Sequence, residues 1–257
     1  MRRQIVGYLR FIPCYVKWVK DKGKNVFATI LPNRCLMCHQ GIMLPDKGIC
    51  PVCFEFSLYH FPVCLGCGRK MFIDTDFCGG CLLTSPLKVV APCSYHQGLG
   101  TFVAAMKYQA QFSALDCLTD ALINRIKTLE SKGLLIMLQV LIPVPLHSKR
   151  LRQRGFNQAW IIANTLSKKL NIPLFTEGLS RIKNTLPQAG LSGKDRRQNL
   201  NNAFILAESL DLQRIALIDD VVTTGTTVDA IASLFQKQHI HVQVWCLARA
   251  EAPGLLN

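Results

Sequence analysis

The sequence is short of acid: sixteen Asp and Glu stand against thirty Lys and Arg, a formal charge of +14 over 257 residues. Such an excess suits a polyanionic partner, whether nucleic acid, a phosphorylated metabolite or an anionic surface. It also lacks a membrane-spanning run. The longest near-continuous apolar stretch, Leu134–Leu146, contains two prolines and falls short of the roughly 20 residues a span requires. It reads as a buried strand, and an integral membrane protein is not expected. No cleavable signal peptide is apparent, because Met1–Lys24 is broken by Arg10, Lys17, Lys20, Lys22 and Lys24. There is no low-complexity tract, and the GxxxxGK[ST] pattern of a P-loop is absent.

What is present is hydrophobic enough to fold. Apolar residues make up 49% of the chain, sufficient for one domain and a small satellite. Three zones separate by composition: a basic, aromatic-interleaved stretch over 1–30, a cysteine-dense zone over 31–87, and an alternating pattern over 88–257. In the last zone Leu99–Leu129 reads as helix broken near Gln109–Gln111, and Leu134–Val144 as a strand entering a loop. Phe156–Leu170 carries apolar residues at helical spacing. Leu174–Phe175 is extended, Arg214–Asp219 a buried strand, Thr226–Gln238 a helix and His241–Ala248 a last strand. Helices alternating with apolar strands predict an α/β fold with a largely parallel sheet.

Eight of the twelve cysteines fall into four CxxC pairs, Cys35/Cys38, Cys50/Cys53, Cys64/Cys67 and Cys78/Cys81. Two intervening residues let both thiolates of a pair reach one tetrahedral ion from a tight knuckle, and two knuckles complete a closed structural Zn²⁺ site. Eight sulfurs therefore fill two sites. Consecutive pairing closes the shorter loops, although an interleaved cross-brace fits the same spacing. Gly66, Gly68, Gly79 and Gly80 lie where knuckle backbones call for positive φ. Cys14, Cys93, Cys117 and Cys246 stand outside the pattern. Metal-binding thiols in place of disulfides point to a reducing cytoplasm.

The segment Arg214–Thr227 carries the chemistry. Apolar residues lead to the adjacent acids Asp219 and Asp220 at a strand's C-terminal end, where open parallel sheets bind ligands. Thr223, Thr224, Gly225, Thr226 and Thr227 follow, offering four hydroxyls, free-approach backbone at the glycine and a helix N-terminus for an anion. Acids that match a diol beside a phosphate cradle make a ribose-phosphate site. Upstream, Ile142–Gln158 follows a strand and concentrates Lys149, Arg150, Arg152 and Arg154 ahead of a helix. Arg181–Asn199 is a long polar loop containing Lys183, Gln188, Arg196 and Arg197.

The Asp219–Thr227 pattern resembles the binding signature of type I phosphoribosyltransferases. By that resemblance the acids hold the ribose hydroxyls of phosphoribosyl pyrophosphate (PRPP), and can be assigned the catalytic role, while Thr223–Thr227 hold its 5′-phosphate. Lys149, Arg150, Arg152 and Arg154 occupy the position of the pyrophosphate loop. Arg181, Lys183, Gln188, Arg196 and Arg197 occupy that of the mobile loop closing over PRPP, which comes with Mg²⁺. Together with the cysteine pairs, the Pro-Val-Pro-Leu…Arg-Gly-Phe-Asn-Gln stretch resembles the ComF (GntX) family of competence proteins from about Leu31 onward. The resemblance implies a phosphoribosyltransferase-type parallel sheet flanked by helices, with a small N-terminal double zinc ribbon. It implies cytoplasmic handling of incoming single-stranded DNA during natural transformation, with DNA-uptake or recombination proteins as partners. Three activities stay open: transfer from PRPP to an acceptor, ribose-phosphate or single-stranded DNA binding without turnover, and PRPP-sensing regulation.

Overall fold

The computed structural model describes residues 33–43, 48–109, 112–183, 202–206 and 210–251. The expected N-terminal tail, and Gln188, Arg196 and Arg197 of the expected mobile loop, lie outside these residues. The chain divides into two compact units, Met1–Pro51 and Val52–Asn257.

In the first unit, the described residues form a knuckle. Arg34 bridges antiparallel to Gly41. The Cys35 amide donates to the Gln40 carbonyl at 2.8 Å and the His39 amide to the Cys35 carbonyl at 2.9 Å.

The second unit is built on four parallel strands in the order β1-β6-β5-β2: β1 (Lys88–Val90), β2 (Val140–Pro143), β5 (Arg214–Val222) and β6 (His241–Arg249). A single parallel bridge from Leu141 to Leu174 continues the sheet beyond β2. Two short strands, β3 (Leu179–Arg181) and β4 (Phe204–Leu206), form a separate antiparallel pair. Every residue of β6 after His241 is buried, so both faces of the sheet are covered. Residues two apart share a face. Leu217, Val244 and Cys246 thus pack with Val228, Ile231 and Phe235 of the helix Thr226–Gln236.

The helices Leu115–Ser131 and Gln158–Leu170 pack together. Lys169 joins them, donating to Asp120 at 2.9 Å and to the Thr119 hydroxyl at 2.9 Å. Asn157 caps the second of these helices, its side chain accepting from the Ala159 amide at 3.1 Å and donating to the Val144 carbonyl at 3.1 Å.

Three sequence expectations need adjustment. The strand expected over Leu134–Val144 is ladder-paired only over Val140–Pro143, because β5 itself begins at Arg214 and offers its first ladder partner, Ile215, to Val140. The strand expected to end at Asp219 runs on to Val222, held by continued pairing with β6. Arg181, expected at the start of a mobile loop, is the last residue of β3. No helix among the described residues is long and apolar enough to cross a membrane.

Candidate functional site at the strand ends

Strand β5 is paired on both sides only as far as Ile218. There β2 stops at Pro143, opposite Ile218, with the Val144 amide donating to the Ile218 carbonyl at 2.9 Å. On the other side β5 stays with β6 to Val222. Asp219 and Asp220 therefore begin where the sheet opens. The chain leaving β2 turns outward to Leu174, whereas the chain leaving β5 crosses in the opposite direction to β6. The gap between β2 and β5 is the point at which strand order reverses, the position where open α/β sheets hold ligands.

The acids are fixed by their own backbone. Asp219 Oδ1 accepts from the Asp220 amide at 2.9 Å, and Asp220 Oδ1 from the Val221 amide at 2.9 Å. Asp220 is buried and Asp219 half-buried. Beyond them, Gly225 takes φ +78° as the N-cap of helix Thr226–Gln236 and contributes no side-chain cap bond. The Thr224 and Thr226 hydroxyls are bonded to one another at 2.8 Å.

The basic segment is a short helix, Ser148–Arg154, opened by His147, whose side chain accepts from the Lys149 amide at 3.2 Å. Lys149 and Arg152 are exposed, Arg150 and Arg154 half-buried. Arg154 donates to Gln158 at 3.5 Å. Arg181 stacks 5.3 Å over the Phe204 ring. Burial first, then the charge of Arg150, lower the Arg181 pKa to about 10, while Asp219 pulls the other way. Arg181 thus feels both the charge of Arg150 and that of Asp219. Lys183 is exposed just beyond β3.

The cysteines form two consecutive tetrads, Cys35/Cys38/Cys50/Cys53 and Cys64/Cys67/Cys78/Cys81, each with its sulfurs within 4.8 Å of one another. The cross-brace is thereby excluded. Sulfur separations of 3.8 Å (Cys38–Cys50) and 3.7 Å (Cys67–Cys78) match the edge of a tetrahedron with a Zn–S distance of about 2.3 Å. Backbone amides point at sulfur, Cys50 to Cys35 at 3.3 Å and Cys78 to Cys64 at 3.2 Å, as thiolate ligands require. Amide donation, chiefly from Cys81, brings Cys78 down to about 7, while burial and the neighbouring sulfurs push Cys81 up. Four thiolates this close need a cation among them, so the donor set fits zinc.

Of the four glycines noted in the sequence, only Gly68 has positive φ, at +80°. His39 holds the equivalent place in the first knuckle at φ 60°. At Gly66 the constraint is space, because a Cβ would stand 2.9 Å from Cys81 Sγ.

Sequence reading missed two buried charges past the expected end of β6, Arg249 and Glu251. A charged pair directly after an apolar strand was the available signal. Glu251 accepts from the Ser94 hydroxyl at 2.7 Å and from the Tyr59 hydroxyl, and burial lifts its pKa to about 7.

The fold and donor set define a zinc-ribbon protein with a parallel α/β domain. Residues 26–82 match the family described as "Double zinc ribbon domain". The chain is 37% identical to Competence protein F of Haemophilus influenzae, over 84% of this chain and 97% of that protein. It is 31% identical to the DNA utilization protein YhgH of Escherichia coli, over 85% and 98%. It belongs to the ComF family of competence proteins. Among solved structures it is similar to a purine phosphoribosyltransferase from Pyrococcus horikoshii, at 20% identity over 52% of this chain and 72% of that one, with a TM-score of 0.31. For an adenine phosphoribosyltransferase from Leishmania tarentolae the identity is 12%, over 60% and 77%, with a TM-score of 0.35. At those scores the likeness is slight, and the α/β assignment follows from the sheet itself.

Two predictions follow from the buried groups. Metal analysis of the purified chain should give two zinc ions, falling to one in Cys64→Ser. Glu251 keeps its proton to higher pH in the folded state than the ordinary glutamate value of 4.5. Between pH 4.5 and 7 the unfolded chain binds fewer protons, so this residue's contribution to stability falls as pH rises, by about 3 kcal/mol in all. Chemical denaturation of wild type and Glu251→Gln across that window should show a difference of this size. A pH-independent difference would mean that Glu251 ionises as it does in the unfolded chain.

Proposed function

We propose that the gap between β2 and β5 binds PRPP or a related ribose phosphate, within a ComF-type protein that handles incoming single-stranded DNA during natural transformation. The observation that carries this is the gathering of Asp219, Arg150 and Arg181 at the reversal point of the sheet. A guanidinium at Arg150 whose charge opposes that of Arg181 favours an anion nearby, and a diphosphate supplies one. Asp219 and Asp220 accept from the ribose hydroxyls. Thr223, Thr224, Gly225, Thr226 and Thr227 present amides and hydroxyls to the 5′-phosphate. Lys149, Arg152 and Arg154 add charge along the same helix as Arg150, and Lys183 with Gln188, Arg196 and Arg197 would close over the ligand. Mg²⁺ enters with the diphosphate and offsets its charge.

In this reading residues 88–257 form the phosphoribosyltransferase-type domain, 31–87 the double ribbon and 1–30 an appendage, and metal-binding thiols in place of disulfides support a reducing cytoplasm as the compartment. Turnover would break the bond from ribose C1 to pyrophosphate and form one to an acceptor that gives up a proton. The chain's task there is to position the diphosphate and neutralise its developing charge.

Single-stranded DNA binding is favoured by the ribbon surface. Phe72 is 99% and Phe56 83% exposed, on a chain of charge +14, and Lys70 lies 4.8 Å over the Phe61 ring. Exposed rings on a basic chain offer stacking platforms to unpaired bases.

Calorimetry with PRPP and Mg²⁺ should give saturable binding that is lost in Asp219→Asn/Asp220→Asn with the fold retained. No heat from folded, zinc-loaded wild type would overturn the ribose-phosphate reading. Fluorescence anisotropy with an unstructured oligonucleotide should show affinity falling steeply with salt, and roughly tenfold weaker binding by Phe72→Ala. Unchanged affinity in that variant would remove Phe72 from the DNA surface.

A further inference from the structure

Arg249 is the last residue of β6 and pairs with Val222, the last residue of the acid-bearing strand. Its backbone is stitched on both sides. Its amide donates to the Cys93 carbonyl at 3.1 Å, its carbonyl accepts from the Tyr95 amide at 2.7 Å, and the next amide, of Ala250, donates to the Val222 carbonyl at 2.9 Å. The side chain leaves the sheet for the second ribbon. Nη1 donates to the Leu65 carbonyl at 3.0 Å and Nη2 to the Gly66 carbonyl, the two peptide oxygens between Cys64 and Cys67. Only 6% of the residue is exposed.

A guanidinium buried this deeply is unfavourable unless negative charge faces it. No carboxylate forms a salt bridge with it among the described residues. The knuckle whose carbonyls it meets belongs to the tetrad Cys64, Cys67, Cys78 and Cys81, and Asp229 adds a carboxylate field from the helix Thr226–Gln236. A zinc ion held by four thiolates carries a formal charge of about −2 and would add counter-charge on the ribbon side. The knuckle is shaped to admit the arginine. Gly68, at φ +80°, lies where a Cβ would stand 2.9 Å from Arg249 Cδ and Nε. Burial raises the pKa of Asp229, in the first turn of helix Thr226–Gln236, and the field of Arg249 works against that rise. Asp229 in turn faces Gly225, whose added Cβ would lie 3.3 Å from Asp229 Oδ2.

We propose that Arg249 is a positioning residue that ties the zinc-filled second ribbon to the end of β5, so that the Cys64/Cys67/Cys78/Cys81 site, and not the first tetrad, holds Asp219–Thr227 in binding geometry. Lysine would keep the charge but not the two-pronged donation to adjacent carbonyls. The consequence for ligand affinity rests on the ribose-phosphate reading above; the ordering of the loop does not.

The test is hydrogen–deuterium exchange of the full chain, without ligand, in peptides covering residues 219–229, with zinc counted in every sample. Arg249→Lys and Arg249→Met should keep two zinc ions and the overall fold yet exchange these peptides roughly tenfold faster. Cys78→Ser should do the same with one zinc lost, and Cys50→Ser, also one zinc short, should exchange as wild type. PRPP affinity should fall in parallel in the first three variants alone. Wild-type exchange at 219–229 in both Arg249 variants would overturn the proposal. So would equal loosening by Cys50→Ser. Should Cys78→Ser fail to fold, the Arg249 variants decide. Failure of wild type to bind PRPP, with the exchange pattern as expected, would strike the ribose-phosphate reading and leave this one standing.

Discussion

The architecture of the second unit depends on one strand being shared unequally. β5 is gripped by β6 over its whole length and by β2 only as far as Ile218. Apolar residues from Ile215 to Ile218 bury on both faces and make that grip strong, as central parallel strands require. The unequal ending leaves Asp219 and Asp220 on a strand still held rigid from one side and open on the other. A carboxylate on a strand is set more firmly than one on a loop, and here each acid is further pinned by the amide that follows it.

Around that opening the charges are brought together from distant parts of the chain. Arg150 comes from the helix after β2 and Arg181 from a separate antiparallel pair, yet both act on the same neighbourhood as Asp219. The overall charge of +14 does not create this arrangement. Lys149 and Arg152, in the same short helix, remain exposed, where screening by salt reduces their influence. Burial is what distinguishes a surface cation from one whose ionisation responds to its neighbours.

The ribbons show a repeat that is local in origin. Arg34 with Gly41 and Val63 with Lys70 make the same antiparallel bridge, and the amide of Cys35 or Cys64 makes the same closing bond to Gln40 or Arg69. The two differ where the chain must accommodate something else. His39 suffices at the left-handed position of the first knuckle, while the second has Gly68, against which Arg249 packs.

Elements whose cause is local were legible along the chain: four CxxC knuckles, the apolar strands at Ile215 and Val242, the acid pair, and the glycine opening a helix. Spacing and periodicity act within a few residues, so they survive without knowledge of the fold. Tertiary structure alone decided that the cysteine pairs combine consecutively, that β2 ends beside Asp219, and that Arg181 belongs to a strand near Arg150. It also decided that Arg249 and Glu251 are buried, because burial of a charge depends on what the rest of the chain packs against it. Strand pairing and desolvation are non-local. They are set by contacts between residues far apart in the chain, from Val140 with Ile215 to Leu65 with Arg249, which local spacing does not fix.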